Sequence, residues 1–398
     1  MEIFLPDNVK FIIDRMSAAG KRADVVGGAL RDACLGREVS DYDLTTDATP
    51  EEIKSIFSDV RTIDTGIKHG TVTVHLDGKN YEITTYRRDG EYKDGRHPDS
   101  VEFTTSLADD LSRRDFTVNA MCYCPRWGFT DLFGGISDLN SRIIRTVGEP
   151  KKRFSEDALR ILRALRFASV LDFEIEPETR EAVLSSAHLL RAVSAERIWV
   201  EWYKLLGGVG AHRIISRFGE VIRGVIPELE NIVLPSEEDF LRADVDTRML
   251  AIFALSHSSP ALAFERTAAA LKTDKRTRTD GTARLKFIES EAPKSVPEML
   301  FAMSIYGPEI TESALKLGRL ARKYGDEVTE LFSEARASGT PYSIGMLAVG
   351  GADILRLGLR GEAVGAALGS ALRAVIEGRI QNTKEDVIRL VTGELPKA

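Results

Sequence analysis

The feature that most constrains this 398-residue chain is a change of hydrophobic patterning near residue 150. Before it, short strand-like runs alternate with helical ones. ADVV (23–26), DYDLTT (41–46), GTVTVHL (70–76), YEITTYR (81–87) and VEFTT (101–105) read as strands. Residues 1–20 carry Val9, Ile12, Ile13 and Met16 near helical spacing, and Gly27-Gly28 leads into a helix, ALRDACLG. Thr49-Pro50-Glu51-Glu52 opens a further helix, and Asp77-Gly78-Lys79-Asn80 marks a hairpin. A hairpin within mixed elements is an α+β pattern, not a βαβ alternation. From 154 onward strand signals almost vanish. Helical patterns run to the end, broken by Gly and Pro at 207–210, 226–235 and 338–351, with no fixed-period repeat. The expectation is an α+β domain followed by all-α modules.

Composition narrows the class. At 43% hydrophobic and 29% charged residues, neither disorder nor a fibrous repeat is expected. No apolar run approaches the roughly 20 residues a membrane helix needs, and MEIFLPDNVKFIIDRM lacks the apolar core of a signal peptide. Cys34, Cys122 and Cys124 are too few for a disulfide framework, and the C-x-C pair lacks further zinc ligands. Reduced thiols in a cytoplasmic protein are expected. The net charge of −7 argues against a non-specific nucleic-acid coat. Residues 1–150 hold 19 basic and 26 acidic residues, the remainder 35 of each, so any polyanion must meet local basic patches.

Three constellations carry chemistry. In the first, Gly27 and Gly28 let backbone approach a ligand, the helix after them offers free N–H groups, and Arg31 lies one turn in. That suits a phosphate, and is equally a plain turn. Asp41 and Asp43 follow, two apart on the expected strand, so both carboxylates point to one face. A divalent cation relieves their repulsion, and oxygen ligands suit Mg²⁺; a solvated acidic edge is the bland reading. Glu82 on the YEITTYR strand either completes that metal site as a third carboxylate or is an exposed strand residue.

The second is RRDFTVNA (113–120), whose arginines and Asn119 can bind triphosphate and ribose, or form a surface ion-pair cluster. The third is SEDALRILRALR (155–166). It reads as one helix with Asp157, Arg160, Arg163 and Arg166 at every third position, winding slowly round its surface. A salt-bridged amphipathic helix is the ordinary reading. Three arginines to one acid leave excess positive charge, which points to an anion there.

Together with YRRDGEYKDGRHPDSVEF (86–103) and SAERIWVEWYKLL (194–206), these motifs resemble the class II tRNA nucleotidyltransferase/poly(A) polymerase family of the polymerase β superfamily, most of all its bacterial CCA-adding members. The resemblance spans about the first half of the chain; 351–382 is similar, more loosely, to the family's tRNA-binding tail. It implies template-independent addition of C, C and A to the tRNA 3′ end from CTP and ATP, releasing pyrophosphate, with two metals and no DNA template. It implies Asp41 and Asp43 as the metal-binding catalytic acids, Gly28 and Arg31 as triphosphate contacts and Arg114 as a nucleotide contact. Asp157, Arg160, Arg163 and Arg166 would lie on the nucleotide-selecting helix. A polymerase β-like head (1–145), neck (146–206), body (207–300) and tRNA-binding tail (301–398) follow from the family architecture.

Selection can be checked from hydrogen-bond inventories. A carboxylate only accepts and a guanidinium only donates. Cytosine and adenine each present an amino donor beside a ring acceptor, complementary to Asp157 with Arg160; uracil and guanine present the reverse. No His-Asp dipeptide occurs, so phosphohydrolase activity is not expected, and the full loop from Arg88 through Val101 favours addition of A as well as C. The alternatives are a poly(A) polymerase of the same family, whose longer basic tail is lacking after GELPKA, and a silent RNA-binding homologue. The basic residues Lys272, Lys275, Arg276, Arg278, Arg284 and Lys286 can touch tRNA phosphates or form a solvated loop.

Overall fold

A computed structural model describes residues 3–39, 41–90 and 100–394. They divide into two compact units, 1–225 and 226–398.

The first unit opens with α1 (Asp7–Ala18), β1 (Ala23–Val26), α2 (Gly28–Cys34), β2 (Asp43–Thr46) and α3 (Pro50–Ile56). Thr49 accepts from the Glu52 N–H while the Glu52 carboxylate accepts from the Thr49 N–H, a reciprocal cap that explains where α3 starts. Strands β3 (Thr62–Ile63), β4 (Thr71–Leu76), β5 (Lys79–Thr85), β6 (Arg87–Asp89) and β7 (Val101–Phe103) follow. The β4–β5 turn is tighter than the sequence suggested. Lys79 and Asn80 pair with Leu76 and His75, leaving only Asp77 (φ 48°) and Gly78 (φ 76°) as corners. Helix α4 (Leu107–Ser112) precedes β8 (Met121–Cys124), β9 (Gly128–Asp131), α5 (Gly135–Ser141) and a short β10 (Ile143–Ile144).

Seven strands form one sheet in the order β3-β4-β5-β2-β1-β8-β9. Strands β8 and β9 escape sequence reading. All four residues of β8 are buried, so MCYC shows no polar alternation. The strand expected at 41–46 begins only at Asp43. Its partner β1 ends at Val26, which pairs with Asp43; beyond that the Gly27-Gly28 turn leaves the sheet, and the β1–β2 ladder stops there.

Helices α6 (Pro150–Glu156), α7 (Leu159–Leu171), α8 (Pro177–Ser186) and α9 (Ala195–Leu206) complete this unit's main elements. The single helix expected through 155–166 is broken. Asp157 is extended (φ −140°, ψ 104°), and its Oδ1 accepts from the Leu159 N–H at 3.1 Å. A short carboxylate that can satisfy a free amide favours a helix start over a helix interior. Phe116 meets Phe167 of α7 edge-on at 5.6 Å, joining the sheet-bearing part to the helices within a core that also holds Phe154 and Tyr86.

In the second unit every described helix or strand is helical. Asp244 and Asp274 cap the helices Val245–Ser256 and Lys275–Glu289, and Phe253 packs on Phe264 at 5.4 Å. The basic residues from Lys275 to Lys286 therefore lie on a helix, not in a loop. No described helix is long and apolar enough to cross a membrane.

Candidate active site

Register brings the first constellation together. Because Val26 pairs with Asp43 on one side and Cys122 on the other, the Gly27-Gly28 turn, the start of β2 and the start of β8 share one end of the sheet. Asp43 also pairs with Glu82 across the parallel β2–β5 ladder, so their side chains share a face. Gly27 sits at φ 74°, ψ −135°, a conformation that favours glycine, and a Cβ there would lie 3.5 Å from Arg114 Nη1. A Cβ on Gly28 would lie 3.5 Å from Arg31 Nη2. Two guanidinium groups thus lie against the turn. Helix α2 has only seven residues, so these arginines, rather than a helix terminus, are its main source of positive charge.

The carboxylates at this edge are electrostatically uncomfortable. Burial raises the Asp43 pKa, Arg114 counters, and Asp41 raises it further. The surface of Asp43 is open to solvent on one side, so the shift reflects dense surroundings rather than full enclosure. Burial, then Asp43 and Asp41, raise the Glu82 pKa in the same direction. A divalent cation fits this donor set because it would relieve both the repulsion and the desolvation. Among the described residues, no three His, Cys, Asp or Glu side chains converge enough to hold a metal, so Glu82 stands beside the acidic pair without closing a cage on it.

Arg114 donates from Nη2 to Asp110 Oδ2 at 3.2 Å, while its buried Nε has no hydrogen-bond partner. An orphaned guanidinium N–H is costly to leave unmade and suits an incoming anion. Asp110 is fully buried. It accepts from Arg113 Nη2 (2.6 Å) and Thr45 Oγ1 (3.0 Å) as well. Burial opposes its charge, but Arg114 and Arg113 together hold its pKa below the usual carboxylate range. Arg31 donates to Asn119 Oδ1 at 2.7 Å and to Asp32, and Asn119 is buried.

The third constellation departs most from expectation. Its positive charge is not in excess, because Glu156 one turn away and two acids distant in sequence, Asp115 and Glu201, pair with it. Arg160 pairs with Glu156 (2.6 Å), Arg163 with Asp115 (2.5 Å) and Arg166 with Glu201 of α9 (2.7 Å). Asp157 accepts from Arg197 at 2.7 Å. Burial raises the Asp115 carboxyl, yet Arg163, together with hydrogen bonds from Arg163 and Asn119, brings it down to about 2. Arg31, Arg163 and Arg166 also surround one ring, Phe167, at 5.1, 5.4 and 4.0 Å from its centroid. Arg160 Nη2 reaches the Arg113 carbonyl at 3.2 Å, tying α7 to the RRD segment. A cavity of about 630 Å³ opens beside these groups, lined by Arg88, Asp89, Arg113, Lys152, Arg153 and Glu156 among others. Of the Arg88–Val101 loop, residues 91–99 lie outside the described residues. Its two ends meet in the β6–β7 pair, where Arg88 faces Glu102.

Comparison with known proteins gives this arrangement a family. Residues 23–145 match the poly A polymerase head domain, and 172–231 match the probable RNA- and SrmB-binding site of polymerase A. A CCA-adding enzyme of Bacillus velezensis is 37% identical over 94% of this chain and 95% of its own length. The chain belongs to the CCA-adding enzyme family. The CCA-adding enzyme of Ligilactobacillus salivarius is 48% identical over 54% of this chain, though the match spans only about half (53%) of that relative. The crystal structure of the Bacillus stearothermophilus CCA-adding enzyme in complex with CTP superposes with a TM-score of 0.79 at 33% identity, covering 97% of this chain and 96% of that one. The Thermotoga maritima CCA-adding enzyme complexed with tRNA, at 20% identity and a TM-score of 0.66, shares the fold.

Several residues of this CCA-adding-family site were not singled out from sequence: Asp110, Asp115, Phe167, Arg197 and Glu201. All but Asp110 lie inside or directly beside the quoted motifs, but the charged partners of Asp115, Arg197 and Glu201 are 35 to 48 residues away. A sequence-local charge count cannot find such pairs.

Proposed function

We propose that this chain adds C, C and A to the 3′ end of tRNA from CTP and ATP, without a nucleic-acid template, releasing pyrophosphate. The carrying observation is the register that sets Gly27-Gly28, Asp43 and Glu82 at one sheet end beside Arg31 and Arg114. Asp41 and Asp43 hold Mg²⁺, with Glu82 supporting the negative field beside them. When bound, such ions activate the attacking hydroxyl and stabilise the leaving pyrophosphate. Arg31 and Arg114 bind the triphosphate against the Gly27-Gly28 turn, and the buried Arg114 Nε gains its partner there.

Asp157 and Arg160 read the base. The Asp157 carboxylate is oriented by Arg197 and the Leu159 N–H, and the Arg160 guanidinium by Glu156 and the Arg113 carbonyl. That fixed pattern accepts the amino group of C or A and donates to the neighbouring ring nitrogen. Against U or G it sets acceptor on acceptor and donor on donor. One such buried mismatch costs about 1–3 kcal/mol, roughly 5- to 150-fold. Arg163 and Arg166, turned toward Asp115 and Glu201, support this helix rather than read the base. The head (1–145) performs transfer, the neck (146–206) selects, and body (207–300) and tail (301–398) hold tRNA. Cys34, Cys122 and Cys124 are not joined in disulfides, which fits a cytoplasmic setting.

The test is incubation of tRNA lacking its 3′ CCA with Mg²⁺ and each radiolabelled nucleotide in turn. Incorporation of C, followed by a single A, is the expected result. A long A ladder would mean a poly(A) polymerase, and no product a silent homologue.

A further inference from the structure

We propose that Asn119 is a positioning residue whose amide couples the triphosphate side of the site to the selecting helix. This rests on the reading of Arg31 as a phosphate contact. Asn119 is only 7% exposed and closes a one-turn helix, Thr117–Asn119, whose backbone is pinned by its N–H to the Phe116 carbonyl at 2.9 Å. Its Oδ1 accepts from Arg31 Nη1 at 2.7 Å, and its Nδ2 donates to Asp115 Oδ1 at 3.2 Å. Asp115 Oδ2 then accepts from Arg163 Nε and Nη2 at 2.8 and 2.5 Å. A continuous polar chain therefore runs from Arg31 on α2 through Asn119 and Asp115 to Arg163 on α7. Phe167 closes the circuit, with Arg31 at 5.1 Å and Arg163 at 5.4 Å from its centroid.

The polarity of the two ends explains why an amide stands here. One end must accept from a guanidinium and the other must donate to a carboxylate. A carboxylate in place of Asn119 would satisfy Arg31 but face Asp115 with like charge. A hydroxyl can meet only one partner across this span. With Asp32 holding the opposite side of the guanidinium, the amide fixes where Arg31 points. The amide acts on the nucleotide through Arg31, so its influence should depend on the phosphates.

The experiment measures equilibrium binding of CTP and CMP to the full chain carrying Asn119→Ala, Asn119→Asp, Arg31→Lys or Arg31→Lys with Asn119→Ala. Asn119→Ala should weaken CTP about tenfold and CMP less than about twofold. Asn119→Asp should be worse than Asn119→Ala for CTP, despite matching the native shape. In the Arg31→Lys background the Asn119→Ala loss should shrink below about twofold, because the two act as one unit. A residue that merely fills space would rank the other way, with the isosteric Asn119→Asp milder; that order overturns the proposal. So do equal losses on CTP and CMP, or full additivity with Arg31→Lys. If Arg31→Lys itself weakens CTP and CMP alike, the phosphate reading of Arg31 has failed and the coupling falls with it. If only Arg31→Lys is phosphate-selective, the coupling alone is wrong. Should Asn119→Asp not fold, Asn119→Ser replaces it, with a loss matching Asn119→Ala expected and near-native CTP affinity overturning the proposal.

Discussion

Two charged regions of this site are built on opposite principles. At the end of the sheet, the Asp43 and Glu82 carboxyls are pushed up by burial and by their acidic neighbours. Around α7, the Asp115 carboxyl is held down to about 2 by Arg163 although it is more enclosed. One region holds carboxylates crowded by one another, which Arg114 offsets only in part; the other pairs each arginine of its stripe with an acid, Glu156 one turn away and Asp115 and Glu201 from elsewhere in the chain. On the proposed function, a region of crowded carboxylates is suited to a divalent cation. A region already neutralised is prepared to keep its shape while substrates change, as it must if the same side chains are to read C and then A.

The sharpest way to break that contrast is to remove an acid from each region. Asp41→Ala or Asp43→Ala should lower addition of both C and A about a thousandfold, the several kcal/mol that metal-assisted charge stabilisation supplies. tRNA affinity by filter binding should be retained. Appreciable turnover at ordinary Mg²⁺ would remove these residues from the metal site.

On the other side, Asp115→Ala leaves the half-buried Arg163 with only Glu201, at 4.0 Å, as an acidic neighbour. Solvent reaches this arginine, so the loss is smaller than the about 3–5 kcal/mol of a fully buried pair, and Tm should fall by about 5 °C. The same carboxylate shapes acid stability. Its folded pKa lies below the unfolded value, so its contribution is complete above about pH 4 and is lost as pH falls toward about 2. Urea melts across pH 2–5 should be flatter for Asp115→Asn than for the native chain.

A smaller effect concerns selection. Asp157→Ala removes the acceptor for the amino group and the repulsion of a carbonyl oxygen. The CTP-to-UTP ratio of kcat/KM should narrow about tenfold, with residual transfer persisting. Equal losses on CTP, UTP, ATP and GTP would make Asp157 structural.

The smallest effect has the opposite sign. The folded pKa of Asp43 is raised, so its ionised form opposes folding once pH exceeds the unfolded carboxylate value. Asp43→Asn should raise the metal-free Tm by about 1 °C at neutral pH while abolishing activity. Added Mg²⁺ should raise Tm for the native chain and much less for this variant.

Much of the head was legible because its signals are local. Thr49-Pro50-Glu51-Glu52 names a helix start through neighbouring amides, and β4 and β5 show alternation because one face is open. The buried strand β8 was not legible, since burial on both faces erases alternation. At the site, sequence alone singled out Asp41, Asp43, Arg31, Asp157 and Arg160 through spacing and motif. It placed Asp41 on a strand and Asp157 in a helix, and both placements failed at element ends. There the end of the β1–β2 ladder and a competing side-chain cap decide the backbone.

What sequence determined by itself was the kind of chain this is: an α+β head, helical modules after it, and an inventory of acids beside a glycine turn and arginines on a helix. Only the tertiary structure decided which of those charges remain available. Pairing of Val26 with Asp43 gathers the acids beside Gly27, and packing of α9 on α7 carries Glu201 to Arg166 and Arg197 to Asp157. Electrostatic compensation depends on distance in space. Residues 35 to 48 positions apart in the chain neutralise one another here because packing brings them within 3 Å, and no local pattern encodes that approach.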